Sequence, residues 1–303
     1  MSSFDVRPEV RAAVAERRPI VALESTLFAH GLPSPDGVNT ARVLEQIVRE
    51  HGATPATIGV IDGRVIVGLT ADEIARLATE KGVRKLSRAD LAHAVSARSC
   101  GATTVSATMF AAHRAGIEIF ATGGIGGVHR GVEQTMDVSA DLTELSRTRV
   151  CVVAAGAKSI LDLPRTLEML ETLGVPVVGF GTDELPAFFV RSSGLKLTQR
   201  VEDASSAARM LAAQRELAID TGVLLAVPPP IEHALDPAMV HAAIEEALVA
   251  AEREGVRGKA VTPRLLTEVR ARTGGASLAA NVALVRNNAA VAADVAVALA
   301  ALT

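Results

Sequence analysis

Tryptophan and tyrosine are absent from this sequence of 303 residues, and its only other large aromatic side chains are seven phenylalanines. Stacking platforms for single-stranded nucleic acid are therefore missing. A formal net charge of −3 also argues against a polyanionic partner, while leaving room for a local basic pocket. Cysteine is scarce as well. Cys100 and Cys151 both lie in or beside apolar stretches. Two such residues make neither a disulfide framework nor a structural zinc site, so they are expected to be reduced core thiols. The N-terminal MSSFDVRPEVRAAVAERRP has no apolar signal-peptide core. No uninterrupted apolar stretch is expected to span a bilayer, because Asp294 breaks the alanine-rich C-terminal run. Linkers rich in Pro, Gly and Ser, low-complexity segments and internal repeats are lacking too. The expectation is a cytoplasmic protein of one domain, residues 1–303, with no nucleic-acid or membrane partner.

What is present is a core. Hydrophobic residues make up 49% of the chain, which is ample for burial and argues against disorder. Short apolar runs at Ile20–Leu23, Ile117–Ala121, Arg149–Ala155, Val175–Phe180 and Gly222–Val227 read as buried strands. Thr57–Ile61 and Arg64–Gly68 flank Asp62-Gly63, a hairpin signal. Helical periodicity is expected over Pro8–Arg17, Asn39–His51, Asp90–Ser99, Leu163–Leu173, Ser205–Ala218, Pro237–Glu254, Thr262–Thr273 and Leu278–Leu302. Thr70–Thr79 adds a helix opened by a capping box of Thr70 and Glu73. Phe28–Pro33 reads as a loop. Strands alternating with helices predict an α/β fold, a three-layer α/β/α sandwich with a largely parallel, mixed central sheet.

The chemistry concentrates in residues 121–159. Ala121–Gly131 reads ATGGIGGVHRG, and glycines at 123, 124, 126 and 127 let the backbone approach a ligand closely. Turned N–H groups there would suit an anion, with His129 and Arg130 adding charge. Neither a Walker A loop nor the dinucleotide fingerprint fits this spacing. Asp137 and Asp141 offer oxygens for a hard divalent cation, though an aspartate also caps a helix well. Lys158 follows Ala154-Ala155-Gly156-Ala157, and such apolar company favours a neutral, nucleophilic amine able to form a Schiff base. Glu24, at another strand end, is a candidate proton donor or a turn acid. Lys85 and Arg88 form a basic cluster that composition alone reads first as a solvated surface.

Several motifs in order then resemble one family. VALEST at Val21–Thr26, KLSRADL at Lys85–Leu91, GATTVSATM at Gly101–Met109, ATGGIGGVHRG at Ala121–Gly131, MDVSADL at Met136–Leu142 and AGAKSILDL at Ala155–Leu163 are similar to the pseudouridine-5′-phosphate glycosidases. LPAFF at Leu185–Phe189 and RNNA at Arg286–Ala289 continue the likeness. The resemblance implies reversible cleavage of pseudouridine 5′-phosphate to uracil and ribose 5-phosphate, dependence on Mn²⁺ (Mg²⁺ or another divalent cation as the alternative) and a homotrimer. It places the proton donor at Glu24, the covalent lysine at Lys158 and the metal aspartate at Asp137. Substrate contacts fall on Lys85, Val105, Ser139, Ala140 and Asp141, to which Thr122, His129 and Asn288 are added as pocket contacts. In one place the chain departs from the pattern. Ala226-Val227-Pro228-Pro229-Pro230 stands where family members commonly carry Asn-Pro-x-Pro, so a polar side chain is replaced by valine. A lysine-dependent aldolase or a phosphosugar-binding sensor are the rival readings.

Overall fold

The computed structural model describes residues 3–32, 35–256, 258 and 261–302. Eleven strands among them join in one sheet: β1 (Phe4–Val6), β2 (Ile20–Glu24), β3 (Thr54–Ile61), β4 (Arg64–Val67), β5 (Arg84–Leu86), β6 (Gly101–Thr103), β7 (Ile119–Ala121), β8 (Cys151–Ala154), β9 (Val177–Phe180), β10 (Gln199–Val201) and β11 (Val223–Ala226). Their main order is β1-β4-β3-β2-β7-β8-β11-β9-β10. The central strands carry apolar residues on both faces, and every residue of β3, β8 and β11 is buried. That is the signature of parallel strands covered by helices on both sides. Pairing is parallel except where β3 meets β4 and β6. The β3–β4 turn is the Asp62-Gly63 hairpin, with φ of +49° and +75° at its two central residues, as a tight twisted hairpin requires. The α/β/α sandwich with a mixed, largely parallel sheet is therefore as expected.

Chain order reverses between β2 and β7. From β2 the chain moves to β3 on one side, and from β7 it moves to β8 on the other. In open α/β sheets such a reversal opens a crevice at the carboxyl ends of the strands. Register places Glu24, Ala121 and Ala154 at the ends of β2, β7 and β8. Beyond Glu24 the free edge of β3 is taken over by β6, which pairs at Gly59 and Val60. The handover is tied by hydroxyls: the Thr103 amide donates to Ser25 Oγ at 2.8 Å, and Thr103 Oγ1 donates to the Ile58 carbonyl at 2.8 Å.

The C-terminal helix, Ala276–Ala300, lies against β2, β7 and β8 and against the helices Asp36–Glu50 and Ala204–Glu216. The helices Val105–Arg114 and Ala140–Leu145 pack together in the other layer. By length and composition Ala276–Ala300 is apolar enough to cross a bilayer, contrary to the expectation drawn from Asp294. Within this fold it is a core helix: alanines at 280, 289, 292, 293 and 296 are buried, which lets the sheet approach closely, and Asp294 meets His51 Nδ1 at 2.8 Å on its outer face. Arg286, Asn287 and Asn288 do not interrupt it. Residues 28–31 belong to a π-helical turn, Leu27–Gly31, and not to an irregular loop; Leu32 follows in extended backbone and Pro33 lies outside the described residues.

Gly156 shows how tightly the sheet end is packed. Its φ is +73°, and a Cβ added there would collide with the Pro186 carbonyl oxygen. Gly156→Ala should lower stability by about 3 kcal/mol, combining left-handed strain with overpacking. A urea melt with an unchanged midpoint would contradict this.

Candidate active site

A cavity of about 350 Å³ opens at the reversal point and is lined by residues from both halves of the sheet. Glu24, Lys85, Val105, Thr122, His129, Asp137, Ser139, Ala140, Asp141 and Lys158 all line it. Residues spread over some 130 positions of sequence are thus brought to one place by the parallel register of β2, β7 and β8.

Past their ends, β7 and β8 continue side by side as two loops. The Thr122 amide donates to Val153 O, the Ala155 amide to Gly123 O, the Ile125 amide to Gly156 O and the Lys158 amide to Ile125 O, at 2.9–3.1 Å. This ladder fixes the Lys158 backbone. Its side chain then turns back, and Nζ donates to the Gly124 carbonyl at 2.6 Å. The surroundings of the amine are therefore more polar than its neighbouring alanines suggest. Glu24 lies across from it and accepts a hydrogen bond from Thr122 Oγ1. Burial raises the Glu24 carboxyl above the ordinary carboxylate range, with the Lys158 charge and the Thr122 hydroxyl opposing that rise.

Part of the glycine loop is committed within the protein. Its N–H groups at Thr122, Ile125, Gly126 and Val128 are all taken up. None of Gly123, Gly124, Gly126 and Gly127 has a positive φ. The glycines serve close packing: a Cβ at Gly124 would come within 2.6 Å of the Phe188 ring, and one at Gly126 or Gly127 would collide with Ser139 or Thr166. What the loop presents to Lys158 is a carbonyl.

Asp141 is likewise engaged. It is buried, and its two oxygens accept from the Ser106 amide at 3.0 Å and the Gly126 amide at 2.8 Å. It clamps the helix Val105–Arg114 to the glycine loop while also lining the cavity. Ser139 caps the helix Ala140–Leu145, its Oγ accepting from the Asp141 amide at 3.2 Å. Asp137 is half-buried at the rim, and its carbonyl accepts from the His129 amide at 3.0 Å. Burial lowers the His129 imidazole below its ordinary value, Asp137 opposing and the lysines 85 and 158 assisting. Among the described residues no group of three or more His, Cys, Asp or Glu side chains converges on a metal position.

Lys85 lines the cavity from β5, so the basic cluster is not simply a solvated surface. Arg88 faces away, pairing with the buried Glu144 at 2.8 Å and lying 4.7 Å over the Phe110 ring. Asn288 is fully buried beneath the loop and donates to the Thr122 and Gly123 carbonyls at 2.8 and 3.3 Å. It supports the loop and does not line the cavity. Two helical turns earlier, Asn281 does line it, and its Oδ1 is buried without a hydrogen-bond partner. Thr26, His30, Thr104 and Phe188 also line the cavity, and burial, with the Lys85 charge, lowers the His30 imidazole. Sequence reasoning passed over Asn281, although its spacing of seven from Asn288 on one helix puts both on the same face.

A buried acid, a lysine held on a backbone carbonyl and a second lysine, all at the carboxyl ends of parallel strands, define an α/β enzyme for small anionic substrates. Comparison with known proteins narrows this. The family profile described as "Indigoidine synthase A like protein" matches residues 9–298. A pseudouridine-5′-phosphate glycosidase of Herpetosiphon aurantiacus is 58% identical over 299 residues, covering 99% of each chain. One from Caldanaerobacter subterraneus subsp. tengcongensis is 54% identical, covering 98% of this chain and 96% of the relative. The crystal structure of the prealnumycin C-glycosynthase AlnA in complex with ribulose 5-phosphate superimposes with a TM-score of 0.91 at 43% identity, over 99% of this chain and 97% of that one. An indigoidine synthase A-like protein from Thermotoga maritima gives 0.90 at 36%, over 98% and 96%. The chain belongs to the pseudouridine-5′-phosphate glycosidase (indigoidine synthase A-like) family.

The raised Glu24 carboxyl makes stability depend on pH. Stability from a raised acid is fully present below its unfolded pKa and is lost as pH rises through its folded pKa. Glu24→Gln mimics the protonated acid at every pH. Its stability relative to the native chain should therefore increase from about pH 4 to about pH 8. Urea midpoints measured across that range test this, and a difference that stays flat or shrinks would contradict it.

Proposed function

We propose that this chain is a pseudouridine-5′-phosphate glycosidase that reversibly cleaves a C–C glycosidic bond to give uracil and ribose 5-phosphate. The observation that carries the reading is the placement of Lys158 and Glu24 on one cavity wall, the amine on the Gly124 carbonyl and the acid on Thr122. Two glycosidases at 54% and 58% identity over nearly the whole chain support it. So does the ligand of the AlnA structure. Ribulose 5-phosphate is a pentose phosphate that cannot close a five-membered ring, since the hydroxyl required carries the phosphate.

A C–C glycoside has no ready leaving group, so the paired-carboxylate scheme of ordinary glycosidases does not serve. Opening the ribose ring solves the problem. Glu24 gives its proton to the ring oxygen as the C1′–O4′ bond breaks, and the neutral Lys158 amine bonds to C1′. The scheme needs one proton between the pair, held by Glu24, and burial raises that carboxyl in the direction a donor requires. The Glu24 carboxylate then takes a proton from the adduct nitrogen and gives it to uracil C5, and the freed nitrogen lone pair forms C1′=N as the C1′–C5 electrons restore the C5=C6 bond of uracil. Water hydrolyses the imine, freeing ribose 5-phosphate and the amine. Lys85 holds the phosphate, with the hydroxyls of Thr26 and Thr104 on the same wall. Phosphate binding remote from C1′ supplies energy for positioning. Asn281 and His129 face the base and sugar, with Val105, Ser139 and Ala140 shaping the wall.

Asp137 is assigned the divalent cation, Mn²⁺ with Mg²⁺ as the alternative. A single rim carboxylate fits a hydrated hard cation whose other ligands are water and substrate oxygens. When bound, such a cation supplies positive charge and Lewis acidity beside the pocket. The enzyme is assigned to the cytoplasm, in keeping with two free cysteines, of which Cys151 is buried with its thiol pushed up to about 12, and the family resemblance assigns it a homotrimer.

Uracil release from pseudouridine 5′-phosphate with Mn²⁺, followed by chromatography, tests the reading. The native chain should release uracil, and exhaustive chelation should suppress it. Lys158→Ala should lose at least about 10⁴-fold in kcat while keeping its fold, in line with removal of a covalent nucleophile. Turnover by that variant near the native rate would remove the assignment.

A further inference from the structure

Phe188 has a φ of +59°, a left-handed conformation that a bulky side chain rarely adopts. Its ring is nevertheless buried, at 2% exposure, and lies on the glycine loop. A Cβ at Gly123 would come within 3.3 Å of the ring, and one at Gly124 within 2.6 Å. The strained residue is held from several sides. Its amide donates to the Ala155 carbonyl at 2.9 Å, Ala187 bridges to Gly156 and Val190, and the Phe189 ring meets it edge-on at 4.6 Å. Glycine would meet the same φ without strain, but it could not put a ring against the peptide whose carbonyl receives the Lys158 amine at 2.6 Å. Strained residues of this kind gather where a site must be held in one geometry.

We propose that Phe188 is a positioning residue for the nucleophile. Its ring presses on the Gly123–Gly124 backbone, fixes the direction of the Gly124 carbonyl, and through that carbonyl aims Lys158 Nζ at C1′. This role rests on the glycosidase reading. It differs from that of Lys158 in that Phe188 takes part in no bond change; although its ring also lines the cavity, its loss should lower the rate of the chemical step far more than it weakens substrate binding.

The test is steady-state uracil release by the native chain, Phe188→Gly and Phe188→Leu, with a thermal melt of each. Phe188→Gly accepts the backbone conformation and removes only the ring. Its kcat should fall on the order of 100-fold, the scale of a misplaced catalytic group, with KM within about threefold of native. Phe188→Leu, which keeps apolar bulk but not the flat ring, should fall about tenfold in kcat with KM again unchanged. If Phe188→Gly fails to fold, Phe188→Leu decides. A native-like kcat in the folded variant, or a rise in KM that accounts for the whole loss, would overturn the role. A native chain that releases no uracil would instead sink the glycosidase reading and the Phe188 role with it.

Discussion

The hydrogen bond from Lys158 Nζ to the Gly124 carbonyl, 2.6 Å long, depends on most of what surrounds it. It needs two loops that continue the pairing of β7 and β8 beyond the strands, so that the Lys158 backbone is anchored to Ile125. It needs a loop without side chains, because any Cβ at Gly124 would strike Phe188. It needs Asn288 below, holding the Thr122 and Gly123 carbonyls, and Asp141 to one side, holding the Gly126 amide. The long alanine-rich helix makes the first of these supports possible. Its small residues bring Asn288 close enough to reach main-chain carbonyls at the sheet end.

Glu24 is positioned by a separate device. Where β2 stops, β6 takes its place beside β3, and the junction is sealed by hydroxyls of Ser25 and Thr103 that are fully buried. The acid is thus set at the exact edge between two parts of the sheet, against Thr122 from β7. Burial keeps its proton on more firmly than in water, while the nearby amine resists that tendency. The two effects together describe a pair poised to exchange roles, one group giving a proton as the other makes a bond.

Much of this was legible in the sequence. All-apolar runs marked β2, β7, β8, β9 and β11, because buried parallel strands tolerate no alternation. Asp62-Gly63 marked the hairpin, and a glutamate and a lysine just past apolar runs marked the strand ends. Four short strands left no trace: β1, β5, β6 and β10 read FDV, RKL, GAT and QRV, each too brief for an apolar run. The glycine block was legible as a close approach, but not that one of the groups approaching is a phenylalanine ring. Asn288 read as a ligand contact, yet it lies off the cavity and faces backbone carbonyls, whereas Asp141 both lines the cavity and accepts from two backbone amides. Which of two asparagines on one helix face reaches the cavity depends on the loop lying over it, a tertiary fact that spacing does not contain.

The account stands on the Lys158 amine forming a covalent imine with the opened sugar. Borohydride added to the protein with ribose 5-phosphate, followed by digestion and mass spectrometry, tests this most directly. The account predicts a reduced pentose-phosphate adduct on the peptide carrying Lys158. Full turnover with no adduct, or an adduct confined to Lys85, would contradict it.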